Sequence, residues 1–151
     1  MSTRKTRVYL AAPYYRKDEI QGYKDFLQDM CNVEVTARWM EEAHAPTTQM
    51  SEVGVDLHIL YARNDLEDVY LADMVVSFTE PLEYGERAIT YDFYNRAKRG
   101  GRHVEFGFGL ALGREMVIVG PRENIFHNLP GVKQYDTFED FVANHKMRVA
   151  A

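Results

Sequence analysis

Several residue types are scarce in this sequence. Cysteine and tryptophan each occur once in 151 residues, and proline five times. A lone thiol, Cys31, cannot close an internal disulfide, which fits a reducing cytoplasm and does not require secretion. The apolar stretch behind the basic N-terminus, Val8 to Pro13, is too short for a signal-peptide core, and no window approaches the ~20 apolar residues of a membrane span. Positive charge is in deficit: 18 Lys and Arg against 23 Asp and Glu give a net charge of −5, which argues against a general binder of polymeric nucleic acid or acidic membranes. The five histidines show no metal-ligand spacing with one another or with Cys31, so neither a metal nor another cofactor is expected. No Gly-x-Ser-x-Gly elbow is present. The glycines at 107, 109 and 113 lack the spacing of a dinucleotide fingerprint and are better read as close helix–sheet packing.

What is present describes an ordinary globular chain. Apolar residues make up 46% and charged residues 27%, enough to exclude wholesale disorder, and the length suits one domain. Arg7 to Ala12 reads as a strand buried on both faces and ended by Pro13. Ile20, Tyr23, Phe26, Leu27 and Met30 recur at helical spacing, which predicts an amphipathic helix from Lys17 to Met30. Val33, Val35, Ala37 and Trp39 alternate with polar residues and predict a strand to Trp39, then a loop over 40–52. A helix to about Ala72, a strand from Met74 to Phe78, a helix within Ala88 to Lys98, a helix from His103 to Leu112 and a strand from Met116 to Val119 follow. Thr137 is positioned to cap a last helix, with Glu139 and Asp140 in its first turn. Alternating strands and helices imply a parallel sheet covered on both faces, with ligands at the strands' carboxyl ends.

Those ends gather the chemistry. The first strand delivers Tyr9 and then Pro13, Tyr14, Tyr15 and Arg16. Asn64 and Asp65 precede the third strand, and Gly100-Gly101-Arg102-His103-Val104-Glu105 opens a helix. Glu105, expected in a first turn beside Arg102 and His103, would be held ionised there, as attack on an anomeric carbon requires. A solvated, dipole-complementing glutamate accounts for its position equally well. Asp65 reads either as a proton donor or sugar ligand, or as a helix-surface carboxylate. Tyr9 reads as core unless its hydroxyl has a partner.

Taken together, Val8-Tyr9-Leu10-Ala11-Ala12-Pro13, the run Asn64 to Val69 with Ala72 to Val76, Val104-Glu105-Phe106-Gly107 with Ala111 to Gly113, and Val132 to Phe141 resemble the nucleoside 2-deoxyribosyltransferase family. That family includes related deoxynucleoside 5′-monophosphate N-hydrolases. The resemblance spans nearly the whole chain. It implies a flavodoxin-like (Rossmann-like) α/β sheet with helices on both faces, Glu105 as nucleophile, Asp65 as acid or sugar-orienting group, and Tyr9 as the residue that holds Glu105. It also implies a covalent glycosyl–Glu105 intermediate, taken by a second base in a transferase or by water in a hydrolase.

Two departures qualify the resemblance. The family's Asp or Ser six residues before the nucleophile is here Arg99. With Arg102, His103 and the helix start at Gly101, and with Arg16 and Arg122 if they face the same site, it suggests a phosphorylated substrate, although surface charge accounts for arginines too. The family's interface stretch is matched only by His127-Asn128-Leu129-Pro130, so Asn128, or alternatively His127, would complete a neighbouring subunit's site in a homo-oligomer. Small-molecule nucleosides, nucleotides and nucleobases are the expected partners. A non-catalytic nucleotide-binding module is the alternative from another class.

Overall fold

The computed structural model describes residues 4–42, 54–79 and 100–146. The loop expected over 40–52, the helix expected within Ala88 to Lys98, and Arg99 fall wholly or largely outside them. Five strands, β1 (Thr6–Ala11), β2 (Val33–Val35), β3 (Met74–Phe78), β4 (Glu115–Val119) and β5 (Lys133–Tyr135), form one sheet in the order β2-β1-β3-β4-β5, every pairing parallel. Four helices are described with them: α1 (Lys17–Met30), α2 (Val55–Leu71), α3 (Gly101–Ala111) and α4 (Phe138–Asn144). This is the flavodoxin-like arrangement, whose strand order reverses between β1 and β3. None of these helices is long and apolar enough to cross a membrane.

The central strands are apolar because both of their faces are covered. Val8 to Ala11 of β1 and every residue of β3 are buried. On one face, Tyr23 of α1 stacks on Phe138 of α4 at 4.0 Å and on Phe78 of β3 at 5.4 Å, contacts worth about 0.5–1.5 kcal/mol each beyond their area burial. On the other face lies α3. A Cβ on its Gly109 would meet Val75 Cγ2 at 2.9 Å and Met116 Sδ at 3.1 Å, so the glycine lets the helix settle onto β3 and β4; the packing reading holds here and not at Gly107 or Gly113, where a Cβ would meet nothing within 4 Å. Tyr9 pairs with Val75 and Ala11 with Ser77, which turns Tyr9 and Ser77 toward this α2/α3 side.

The strand expected from Val33 to Trp39 ends at Val35, and a 3-10 turn spans Trp39–Glu41. Polar side chains draw the chain off the sheet edge. Thr36 Oγ1 donates to the Asp68 carbonyl at 2.8 Å, and Arg38 donates through its backbone N and Nε to the two Asp68 carboxylate oxygens at 2.9 and 2.8 Å. The Trp39 indole donates to the Leu10 carbonyl at 2.7 Å. The period-2 pattern thus continues past the strand because burial, rather than pairing, sets it.

The helix expected from His103 begins two residues earlier, because Gly100 takes a left-handed conformation (φ 76°) at its N-cap. In α4, Thr137 caps as expected, accepting from the Asp140 N–H at 3.1 Å.

Candidate active site

Three elements converge at the carboxyl end of β1. Tyr9 rises from the strand, Asp65 from the middle of α2, and Glu105 from α3, one turn above Gly109 on the helix face that meets the sheet. Tyr9 is fully buried. Its hydroxyl has no partner at ordinary hydrogen-bond geometry, yet it is near enough to Glu105 for each to alter the other's proton affinity. Such contacts are often long in a free enzyme and tighten when substrate binds. Burial, then the charges of Glu105 and Asp65, push the Tyr9 phenol well above its usual range.

The expectation that Glu105 is held ionised is overturned. Burial and the neighbouring Asp65 raise its carboxyl well above the ordinary value, outweighing the opposing contributions of Tyr9 and Arg102. The helix begins at Gly101, so Glu105 stands beyond the first turn, where the dipole is strongest. Solvent still touches part of the residue, while its carboxyl is crowded by protein and by two other acids. Asp65 is pushed up to about 7 by burial and by Asp68, against the opposing pull of Arg38; its Oδ1 is buried without a partner. Glu42, just past the 3-10 turn, is also pushed up to about 7, by burial and by Asp65, with Lys17 opposing.

At neutral pH this group of acids therefore retains protons, since like charges so close disfavour joint ionisation. Among the described residues, no group of three or more His, Cys, Asp and Glu is arranged to hold a metal ion.

A second polar cluster lies at the amino end of α3. Arg102, buried, forms a two-pronged salt bridge with Glu123 at 3.0 and 2.8 Å. The side chain expected to meet a phosphate is therefore engaged within the protein. Arg122 donates to the His127 carbonyl. His127 is fully buried; its Nδ1 accepts from the Glu123 N–H at 3.0 Å, and its ring meets Phe106 edge-on at 4.9 Å. The Asn124 side-chain oxygen accepts from the Phe126 and His127 N–H groups, which directs its amide nitrogen toward His103 Nδ1 at 3.5 Å. Burial lowers the proton affinity of both imidazoles, with Arg102 adding to the effect at His103.

Other expected residues lie apart from these clusters or frame them. Pro13 precedes the 3-10 turn Tyr14–Arg16, and its carbonyl accepts the Arg16 N–H at 3.0 Å. Arg16 forks onto Glu19 at 2.9 and 2.6 Å and reaches the Thr79 carbonyl at 3.2 Å. Asn128 is exposed, its amide on the Asn124 carbonyl at 3.3 Å. Gly101, exposed, starts α3.

Sequence reasoning passed over Glu42, Glu123, Asn124 and Ser77. Ser77 is fully buried on the Tyr9 side of β3 with an unpartnered hydroxyl; the one polar residue in Met-Val-Val-Ser-Phe was its signal. Glu123 is 21 residues from Arg102, a separation no local pattern reports.

No protein-family model and no curated protein matches this sequence. The solved structures similar to it across almost the whole chain include two enzymes. One is a 2-deoxyribosyltransferase from the psychrotolerant bacterium Bacillus psychrosaccharolyticus, at TM-score 0.62 and 17% identity over 93% of each chain. The other is a CMP N-glycosidase of Clostridium botulinum, at TM-score 0.53 and 16% identity over 91% of this chain and 96% of that one. At such identities the likeness establishes a shared fold.

Proposed function

We propose that this chain cleaves the N-glycosidic bond between a nucleobase and its sugar, with Glu105 as nucleophile, and passes the 2-deoxyribosyl group to another base. The observation that carries this reading is the meeting of Tyr9, Asp65 and Glu105, from three separate elements, at the strand-order reversal where such sheets bind ligands. A fold shared with a deoxyribosyltransferase and with a CMP N-glycosidase supports the same class of chemistry.

The steps follow from the acids' proton inventory. Glu105 must be ionised to attack, and the cluster permits this when its proton resides on Asp65 instead. A Glu105 oxygen then bonds to C1′ as the C1′–N bond breaks; the bond's electron pair leaves on the base nitrogen, which takes the Asp65 proton. An incoming base attacks C1′, returns a proton to Asp65 and frees the Glu105 carboxylate. Tyr9 fixes the rotamer of Glu105 and hydrogen-bonds the carboxylate once it is charged. Water in place of the second base gives hydrolysis.

The test is chromatographic. Deoxynucleosides and their 5′-monophosphates are incubated with and without a second base. A new nucleoside is expected; free deoxyribose or its phosphate as sole sugar product would replace transfer by hydrolysis. Intact substrates under every condition would reject the reading. The monophosphates are included because Arg99 and the helix start at Gly101 still favour a phosphate although Arg102 is engaged with Glu123.

The chain is also proposed to self-assemble. Leu57, Ile59, Leu60, Leu66, Tyr70 and Leu71 of α2 are exposed, and clustered exposed apolar side chains mark protein–protein contact sites. Sedimentation is expected to give a multiple of 17.5 kDa, reduced by Leu60→Asp. A wild-type mass of one chain at micromolar concentration would refute assembly.

A further inference from the structure

We infer that Glu123 sets the phosphorylation state of the substrate: its carboxylate fills the Arg102 fork that would otherwise clasp a 5′-phosphate, so the site favours nucleosides over their 5′-monophosphates. The inference rests on the N-glycosidic reading and names the substrate class of that same site. Arg102 stands three residues before Glu105 on α3, so the two share a helix face about 4.5 Å apart along the axis. In the proposed pose, the 5′ substituent of a sugar bonded to Glu105 at C1′ spans a comparable distance and meets this amino end of α3. The guanidinium there is buried, and both of its terminal nitrogens are taken. Nη1 donates to Glu123 Oε1 at 3.0 Å and Nη2 to Oε2 at 2.8 Å. Two-pronged pairing of this kind is the geometry in which arginine also binds phosphate. The protein supplies its own anion to it.

The segment that carries this carboxylate is fastened to the helix that carries Arg102. The Glu123 N–H donates to His127 Nδ1 at 3.0 Å, and the fully buried His127 ring packs edge-on against Phe106 of α3 at 4.9 Å. Asn124, next in sequence, accepts from the Phe126 and His127 N–H groups. The neighbouring basic side chains do not offset the negative charge. Arg122 donates to the His127 carbonyl. Burial, and then Arg102, lower the proton affinity of His103 from its usual 6.5, which leaves that imidazole neutral at pH 7. The Glu123 side chain is 20% exposed, so a group entering here meets its charge. A phosphate monoester carries about −1.5 to −2 at neutral pH and is repelled. A 5′-hydroxyl is uncharged and can donate to the carboxylate. Arg99 and the helix start draw a phosphate toward this end of α3, and Glu123 opposes them at the point of contact.

The experiment compares kcat/KM for deoxynucleosides and their 5′-monophosphates in wild type and Glu123→Gln. Wild type is expected to favour the nucleoside by roughly tenfold or more, since like charges brought together are penalised. Glutamine keeps the side chain's shape and still accepts from Arg102, but it removes the negative charge. The monophosphate-to-nucleoside ratio should therefore rise by roughly tenfold or more in Glu123→Gln, through a lower KM for the monophosphate. Weakening a buried ion pair also costs stability, yet a smaller folded fraction scales both substrates alike and leaves the ratio unmoved. A wild-type preference for monophosphates, competitive inhibition of wild type by inorganic phosphate, or a ratio unaltered by Glu123→Gln would overturn the inference while leaving N-glycosidic cleavage standing. The first two of these need no variant. Should no substrate release a base, thermal melts in inorganic phosphate decide, against chloride at matched ionic strength. Phosphate that raises the melting temperature of Glu123→Gln more than that of wild type sustains the filled fork and rejects only the catalytic reading; equal shifts overturn both.

Discussion

Glu105→Gln is expected to lower base release by roughly 10⁴-fold or more, the scale on which loss of a covalent nucleophile acts, while the protein becomes more stable at neutral and alkaline pH. The two effects have one origin. Burial and Asp65 raise the Glu105 carboxyl well above its ordinary 4.5. The folded state therefore binds this proton more tightly than the unfolded state does. A group with a raised folded-state value withdraws stability as pH climbs above the unfolded value, because the unfolded chain ionises more readily. The glutamine amide neither ionises nor suffers that penalty, so the gain in melting temperature over wild type should be larger at pH 8 than at pH 5. Activity lost with stability gained is the trade-off of a strained functional site. Thermal melts at the two pH values, alongside rates at each, check both halves. A variant with undiminished turnover would remove Glu105 from the chemistry, and one whose melting temperature falls at both pH values would contradict the buried, proton-retaining carboxyl.

How much of this was visible in the sequence depends on whether the controlling interactions are local. Lys17 to Met30 is legible as a helix because its apolar stripe recurs at helical spacing, and Met74 to Phe78 as a strand because a β-rich apolar run stands between polar segments. Gly109 is legible as a packing glycine because it falls inside the helix without the spacing of a dinucleotide fingerprint, and the sheet side chains it meets are Val75 and Met116. Interactions across the fold were not legible. The alternation through Ala37 and Trp39 reads as strand, but Asp68, some thirty residues away, takes Arg38 and bends the chain off the sheet. Arg102 reads as a cation awaiting an anion, and the anion it meets is Glu123. Glu42 carries no motif at all; its place beside Asp65 comes from a turn tied to Leu10 and Lys17. The protonation of Glu105 was read with the wrong sign because helix position is local, whereas burial and the approach of Asp65 are not. Tyr9, Asp65 and Glu105 were candidates by residue type and order, and the 2-1-3-4-5 strand order brings them to one place.

Asp65→Asn tests the other half of the mechanism through pH. If Asp65 delivers the proton that leaves with the base, activity requires its protonated form, and wild-type kcat/KM should fall along an alkaline limb centred near the value of about 7 to which Asp65 is pushed. Glu42, pushed to about 7 in part by Asp65, titrates with it, so the limb belongs to the pair. Asparagine cannot donate a proton to the departing nitrogen at a useful rate. The substitution is expected to lower kcat by roughly 10²–10³-fold, within the usual range for general acid catalysis, and to abolish the limb assigned to Asp65. What remains of Glu42's titration should move to lower pH, because the neighbouring negative charge has been removed. The loss should shrink for a base that departs without protonation: 7-methyl-2′-deoxyguanosine, already cationic at the ring, needs little help from an acid. A uniform loss across ordinary and 7-methylated substrates, with the alkaline limb intact, would assign Asp65 to orienting the sugar. Glu42, also pushed up to about 7 and coupled to Asp65, would then be the next acid to test as the proton source.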